Sequence, residues 1–244
     1  MRAARRVTAL VFSGAILLTS LAGVASAATP DPDEVEEGRA LFENACSSCH
    51  GAGGVGTNLG PAVTDSGAAG AHFMLSTGRM PLDDPRRQPV RKPAAFDEEQ
   101  IGQISSYVAS LGNGPEIPDV DVDDGDLVLG QQLYSENCGA CHSSAGAGGA
   151  VGAGLEAPSL SHSTPVEVVE AMRIGPGAMP VFQEQTLSEK DANSIARYLD
   201  YLRDVPDPGG LGMRRIGPIA EGAVAWLVGI GLFVLICRFV GEKE

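Results

Sequence analysis

Cys46-Ser47-Ser48-Cys49-His50 is answered 92 residues later by Cys138-Gly139-Ala140-Cys141-His142. Two thiols three positions apart, followed at once by an imidazole, form the spacing that attaches a c-type haem. The two sulfurs add to the two vinyl groups of one haem, and the histidine is then held beneath the iron as its proximal ligand. A Cys-x-x-Cys pair alone also fits a redox dithiol or half of a zinc site. The adjacent histidine, the repetition and the lack of further paired cysteines for zinc argue against both. The pattern predicts two covalently bound haem c groups, one on Cys46 and Cys49 and one on Cys138 and Cys141, with His50 and His142 as iron ligands.

The flanking sequence repeats as well. Gly38 and Phe42 precede the first motif, and Gly130 and Tyr134 precede the second. In each pair the aromatic follows the glycine by four residues, which puts both on one helix face, and the glycine lets another helix approach closely. After each motif come a glycine-rich loop, a proline (Pro61, Pro158) and a Met-Pro pair (Met80-Pro81, Met179-Pro180). Each half closes with an amphipathic helix. Phe96 to Leu111 carries Ile101, Ile104, Val108 and Leu111 at helical spacing, and Leu187 to Leu202 carries Ala192, Ile195, Tyr198 and Leu202. Strand signals are few. The expected fold class is mainly α, with two tandem cytochrome c-type domains and one C-terminal transmembrane helix. Gly51-Ala52-Gly53-Gly54-Val55-Gly56 fits G-x-G-x-x-G, but it follows a haem motif rather than a strand, so a dinucleotide site is not expected.

Each iron needs a distal ligand, and a thioether is the usual partner that raises the potential of a His-ligated haem. Met80 lies 30 residues beyond His50, and Met179 lies 37 beyond His142. Both precede proline and occupy equivalent places in the repeat. Met74 and Met172 do not, and core packing accounts for them better. His72 and His162, the only other histidines, would give low-potential bis-histidine haems, but they fail to align between the halves. They are read as surface or propionate-side residues. Arg79 and Arg173 are candidates for pairing with haem propionates, with an ordinary solvated role as the alternative.

The ends read as membrane signals. Arg2, Arg5 and Arg6 precede an apolar stretch from Val7 to Val24, and Ala25-Ser26-Ala27 matches a cleavage site, so residues 1–27 are expected to be an export signal. An uncleaved anchor is the alternative, and either places the haem domains on the extracytoplasmic side. Gly222 to Cys237 carries no charge, and residues 216–240 are expected to form a single-pass anchor in the cell membrane, with Trp226 near its outer end and 241–244 as a cytoplasmic tail. Between these ends the expected layout is 28–112 as the first domain and 113–127 as an acidic linker. Residues 128–205 form the second domain, and 206–215 a juxtamembrane segment. Asn113 to Asp126 holds six acids and two prolines and reads as an extended tether. Net charge is −14, and about −17 once residues 1–27 are removed, so no nucleic acid partner is expected.

These features resemble the dihaem cytochrome c subunit of the actinobacterial menaquinol–cytochrome c reductase, a respiratory bc complex. The most specific pieces are Ser76-Thr77-Gly78-Arg79-Met80-Pro81, Phe96-Asp97-Glu98, and Gly217-Pro218 with Glu221-Gly222 and Trp226. The resemblance implies His50 and Met80 on one iron, and His142 and Met179 on the other. It also implies a role: an electron leaves menaquinol at a cytochrome b subunit and passes through a Rieske iron–sulfur subunit to one haem. The second haem hands it to the copper centre of a haem-copper cytochrome c oxidase. The chain would then be the electron-transfer subunit of a translocating quinol–cytochrome c oxidoreductase, with no substrate chemistry of its own. Ala225 and Gly229 offer a small face for another membrane helix. The competing expectations are a free-standing anchored dihaem carrier serving several partners and a dihaem peroxidase. The second requires an open or displaceable distal site, which two equivalent Met-Pro pairs disfavour.

Overall fold

The computed structural model describes residues 31–204 and 218–241. The expected export signal at 1–27, the juxtamembrane segment at 206–215 and the tail beyond Gly241 lie outside the described residues.

The first half runs α1 (Pro32–Ala45), α2 (Ser47–His50), α3 (Gly67–Ser76) and α4 (Glu98–Ser110). The second runs α5 (Leu127–Asn137), α6 (Gly139–His142), a hairpin of β1 (Gly149–Gly152) and β2 (Leu155–Ala157), α7 (Pro165–Ile174) and α8 (Glu189–Asp204). The helices start where local chemistry supplies acceptors for their free N–H groups. Asp31 caps α1, with Pro32 at its first position, and Asp126 caps α5. Asp97 with Gln100 and Thr164 with Glu167 form reciprocal capping boxes at α4 and α7. The fold is mainly helical, as the sequence leads one to expect, and the small hairpin is its one departure among the described residues.

Each half is organised around a crossing of its first and last helices. An alanine methyl placed on Gly38 would meet the Gln103 carbonyl oxygen at 1.9 Å, and one on Gly130 would meet that of Ser194 at 1.9 Å. Only a glycine permits this approach. Beside the crossings, the Phe42 and Tyr107 rings sit 5.3 Å apart and those of Tyr134 and Tyr198 5.4 Å apart, both tilted. The first core gathers Phe42, Leu75, Ile101, Ile104, Tyr107 and Val108. The second gathers Tyr134, Val169, Met172, Leu187, Ile195 and Leu199, among others. Phe96 and Leu187 lie just before the helices they were expected to open, and both still pack on their cores.

The linker is not a free tether. The Pro115 carbonyl accepts from Ala69 N–H at 3.0 Å, which fastens its start to the first half. Val120 and Val122 pack on the second core, and Arg197 donates to the Asp123 and Gly125 carbonyls at 3.2 and 2.7 Å. Asp119, Asp121 and Asp123 are exposed while the two valines between them turn inward. This two-residue alternation is that of an extended strand with one face buried. Counting charges alone hid it.

The helix α9 (Pro218–Gly241) has 24 residues and a length of about 36 Å. Its stretch Glu221–Gly241 has a mean hydropathy of 2.4 and is long and apolar enough to cross a membrane. Trp226, Leu227, Phe233 and Leu235 are exposed along it, so no described protein surface covers its apolar side chains.

Candidate functional site

In both halves a long helix ends just before the first motif cysteine, and a single helical turn then carries the rest. Cys46 N–H donates to the Phe42 carbonyl at 2.8 Å and His50 N–H to the Cys46 carbonyl at 2.9 Å; Cys138 to Tyr134 and His142 to Cys138 repeat both distances. This turn brings the two thiols of each pair onto one face, three residues apart.

The imidazoles are held from behind. His50 Nδ1 lies 2.8 Å from the Pro61 carbonyl oxygen, and His142 Nδ1 lies 3.0 Å from that of Pro158. A carbonyl can only accept, so Nδ1 carries the proton and Nε2 keeps its lone pair free for a metal. The proline noticed in each repeat thus acquires a role that its sequence position did not reveal. Burial lowers the pKa of His142, chiefly by desolvation, which favours the neutral form that ligates. In the first half the loop returns to Pro61 through Gly56, whose φ is +85° and whose added methyl would meet Ala62 N at 2.7 Å.

Burial pushes the thiols of Cys46 and Cys138 up to about 11. A redox dithiol needs the opposite, a thiol whose pKa is depressed so that it reacts as thiolate. Both thiols instead sit half-buried against their cores. Met80 packs on the same core as Cys46, and Met179 on the same core as Cys138. The structure therefore brings each expected thioether ligand to the core that carries its own motif. Met80 N–H donates to the Met74 carbonyl at 3.0 Å and Met179 N–H to that of Pro176 at 3.2 Å, fixing the chain at both positions. Met172 is 2% exposed and belongs to the core, as expected of it.

Arg79 and Arg173 are not equivalent. Arg173 Nη1 donates to the Phe182 and Leu187 carbonyls at 2.9 and 2.8 Å and so braces the segment after Met179. Arg79 is 8% exposed, its guanidinium lies 4.8 Å from the Phe73 ring centre, and its Nη1 has no hydrogen-bond partner among the described residues. A buried cation short of an acceptor, next to Met80, suits a group that brings carboxylates of its own. With paired thiols, an imidazole with a free Nε2 and a thioether on one core, the donor set fits haem c in each half.

The two remaining histidines separate. His162 is exposed. His72 is half-buried rather than freely exposed: its Nδ1 lies 2.6 Å from Glu170 Oε1 in the other half. Sequence reading had no partner to offer it, because the acid lies 98 positions away. It also passed over α3 and α7, the helices that place these residues. Thr164-Pro165-Val166-Glu167, a capping box with proline at the first position, would have revealed the second.

Residues 35–112 match the family model for cytochrome c, and residues 125–199 match that for cytochrome c oxidase, cbb3-type, subunit III. The chain is 32% identical over 271 residues to the cytochrome bc1 complex cytochrome c subunit of Corynebacterium diphtheriae, spanning all of this chain and 96% of the relative. It is 33% identical over 265 residues to the protein of that description in Mycobacterium bovis, spanning all of this chain and 95% of the relative. A more distant likeness is to the cbb3-type cytochrome c oxidase subunit CcoP of Azospirillum sp., 32% identical over 190 residues, covering 68% of this chain and 61% of the relative.

Proposed function

The chain belongs to the family of cytochrome bc1 complex cytochrome c subunits, and from that premise we propose that it is the membrane-anchored dihaem carrier between a menaquinol-oxidising bc complex and a haem-copper cytochrome c oxidase. In that role the chain would take an electron from a Rieske iron–sulfur subunit working beside cytochrome b and, through its two haems, would pass it to the copper centre of the oxidase. The carrying observation is the imidazole held by its Nδ1 on a proline carbonyl in both halves, with a Met-Pro methionine on the core against which the first cysteine of that motif packs.

In this reading the haems supply one-electron couples, and everything else is done by the chain. Cys46, Cys49, Cys138 and Cys141 hold the two groups covalently. Pro61 and Pro158 orient His50 and His142, which would bind the irons through Nε2, and Met80 and Met179 would complete the ligand sets. Imidazole and thioether together place both irons on the high-potential side of a quinol chain. The export signal at 1–27, the domains at 28–112 and 128–205 and the anchor at 216–240 complete the proposed layout, with the haem domains outside the cell membrane. A fixed anchor and two haems on one chain remove the need for a mobile carrier.

The match of the second half to an oxidase subunit supports an oxidase as the outgoing partner. Gentle detergent extraction followed by affinity purification of this chain tests the assignment. Recovery of cytochrome b, the Rieske protein and oxidase subunits in fixed proportion is the expected result. Recovery of the chain alone, with two haems, would leave a free-standing anchored carrier instead.

A further inference from the structure

Among the described residues, the two halves meet through equivalent helices. α3 packs against α7. α3 ends four residues before Met80 and α7 ends five before Met179, so the elements in contact are those that lead into the two methionine segments.

The contact is polar and specific. Glu170 is fully buried; its Oε1 lies 2.6 Å from His72 Nδ1, and its Oε2 is buried with no hydrogen-bond partner among the described residues. Beside it, Arg91 Nη2 donates to Glu167 Oε2 at 2.5 Å. Further along, the Gln88 side chain bonds the backbone of Glu156 twice, donating to its carbonyl at 2.7 Å and accepting from its N–H at 3.1 Å. Arg79 is also a charged neighbour of Arg91 and Glu167. A buried ion pair adds little net stability, because desolvating both charges offsets their attraction. It does fix register. A slip of one helix along the other would leave a buried carboxylate facing no cation, whereas an apolar seam would tolerate the slip.

We propose that the α3–α7 contact is a clamp that holds the two haem domains at one separation, with His72 and Glu170 as positioning residues for electron passage between the haems. The inference rests on the dihaem reading above. It adds that the haem-to-haem geometry is built into this chain and does not depend on docking to the larger complex.

The test uses the purified full-length protein in detergent with both irons ferric. Pulsed electron paramagnetic resonance reads the distance between the irons, and hydrogen exchange at the Glu156 amide reads docking without reference to haem. The unaltered chain is expected to give one narrow distance and a protected amide. His72→Ala loses both, and His72→Asn, which returns a nitrogen donor at the Nδ1 position without the charge, restores them in part. Arg86→Ala, two residues from Gln88 but paired with Asp84, changes neither. Retention of the narrow distance and the protection in His72→Ala would overturn the clamp, as would equal behaviour of His72→Ala and Arg86→Ala. A haem assay returning fewer than two haems per chain counts against the dihaem reading, and the Glu156 amide still decides the clamp.

Discussion

Replacing Gly130 by alanine sets two effects of opposite sign against each other. Within a helix the substitution is ordinarily favourable, by about 1 kcal/mol. Here the new methyl would lie 1.9 Å from the Ser194 carbonyl oxygen and 2.6 Å from its carbon, where ordinary contact begins near 3.4 Å. The obstruction is the backbone of α8, which cannot rotate away, so α5 must recede by about 1.5 Å from a packed crossing. Overpacking of this kind costs about 3 kcal/mol, which leaves a net loss of about 2 kcal/mol. For a domain of this size that is a fall of about 10 °C in Tm. Hydrogen exchange separates the halves and is the better assay. Amides of α5 and α8 are expected to exchange about 30-fold faster, with α1 and α4 unchanged. Gly38→Ala, facing the Gln103 carbonyl at the same distance, is expected to give the mirror result. Equal or greater protection in α5 and α8 of the Gly130→Ala protein would show that propensity wins and that the close crossing is not the reason for the glycine.

Met80→Ala and Met179→Ala are each expected to abolish the iron–thioether absorption of one haem and lower one of the two potentials in a redox titration. Two unchanged potentials would remove the methionine from the ligand set. Cys138→Ala with Cys141→Ala is expected to lower the intact mass of the chain by one haem, and a mass that still includes two would exclude attachment there. The clamp is expected to depend on pH with a definite sign. The hydrogen bond to Glu170 raises the pKa of His72 above its ordinary 6.5, and burial raises that of Glu170 above 4.5. Both shifts mean that the docked form binds protons more tightly, so docking weakens as pH rises, from 4.5 upward through the shifted Glu170 carboxyl and from 6.5 upward through the raised histidine value. Glu167, Arg91 and Arg79 are the neighbouring charges of this seam. Intrinsic amide exchange itself quickens with pH, so the readout is protection at the Glu156 amide relative to that intrinsic rate. Protection that falls with rising pH would bear this out, and constant or rising protection would refute it.

The sequence alone determined the chemistry of each half. Thiol and imidazole spacing is dictated by one haem, so Cys46-Ser47-Ser48-Cys49-His50 and its repeat could be read without any partner in space. The glycine and aromatic of each first helix, and the apolar positions of each last one, followed from helical periodicity and sit where that periodicity put them. Local rules ended there. Arg79 and Arg173 both lie shortly before the expected methionine ligands, yet Arg173 braces carbonyls while Arg79 is buried with its Nη1 lacking an acceptor among the described residues. The linker's charge suggested a tether, while its alternating valines and backbone carbonyls tie it to both halves. His72 looked like a leftover until Glu170 was found against it from 98 residues away. Such pairings carry no periodic signature, because they depend on how two separate cores meet. Which histidine could hold iron was legible from spacing, whereas the place of His72 against Glu170 came only with the packing of α3 on α7.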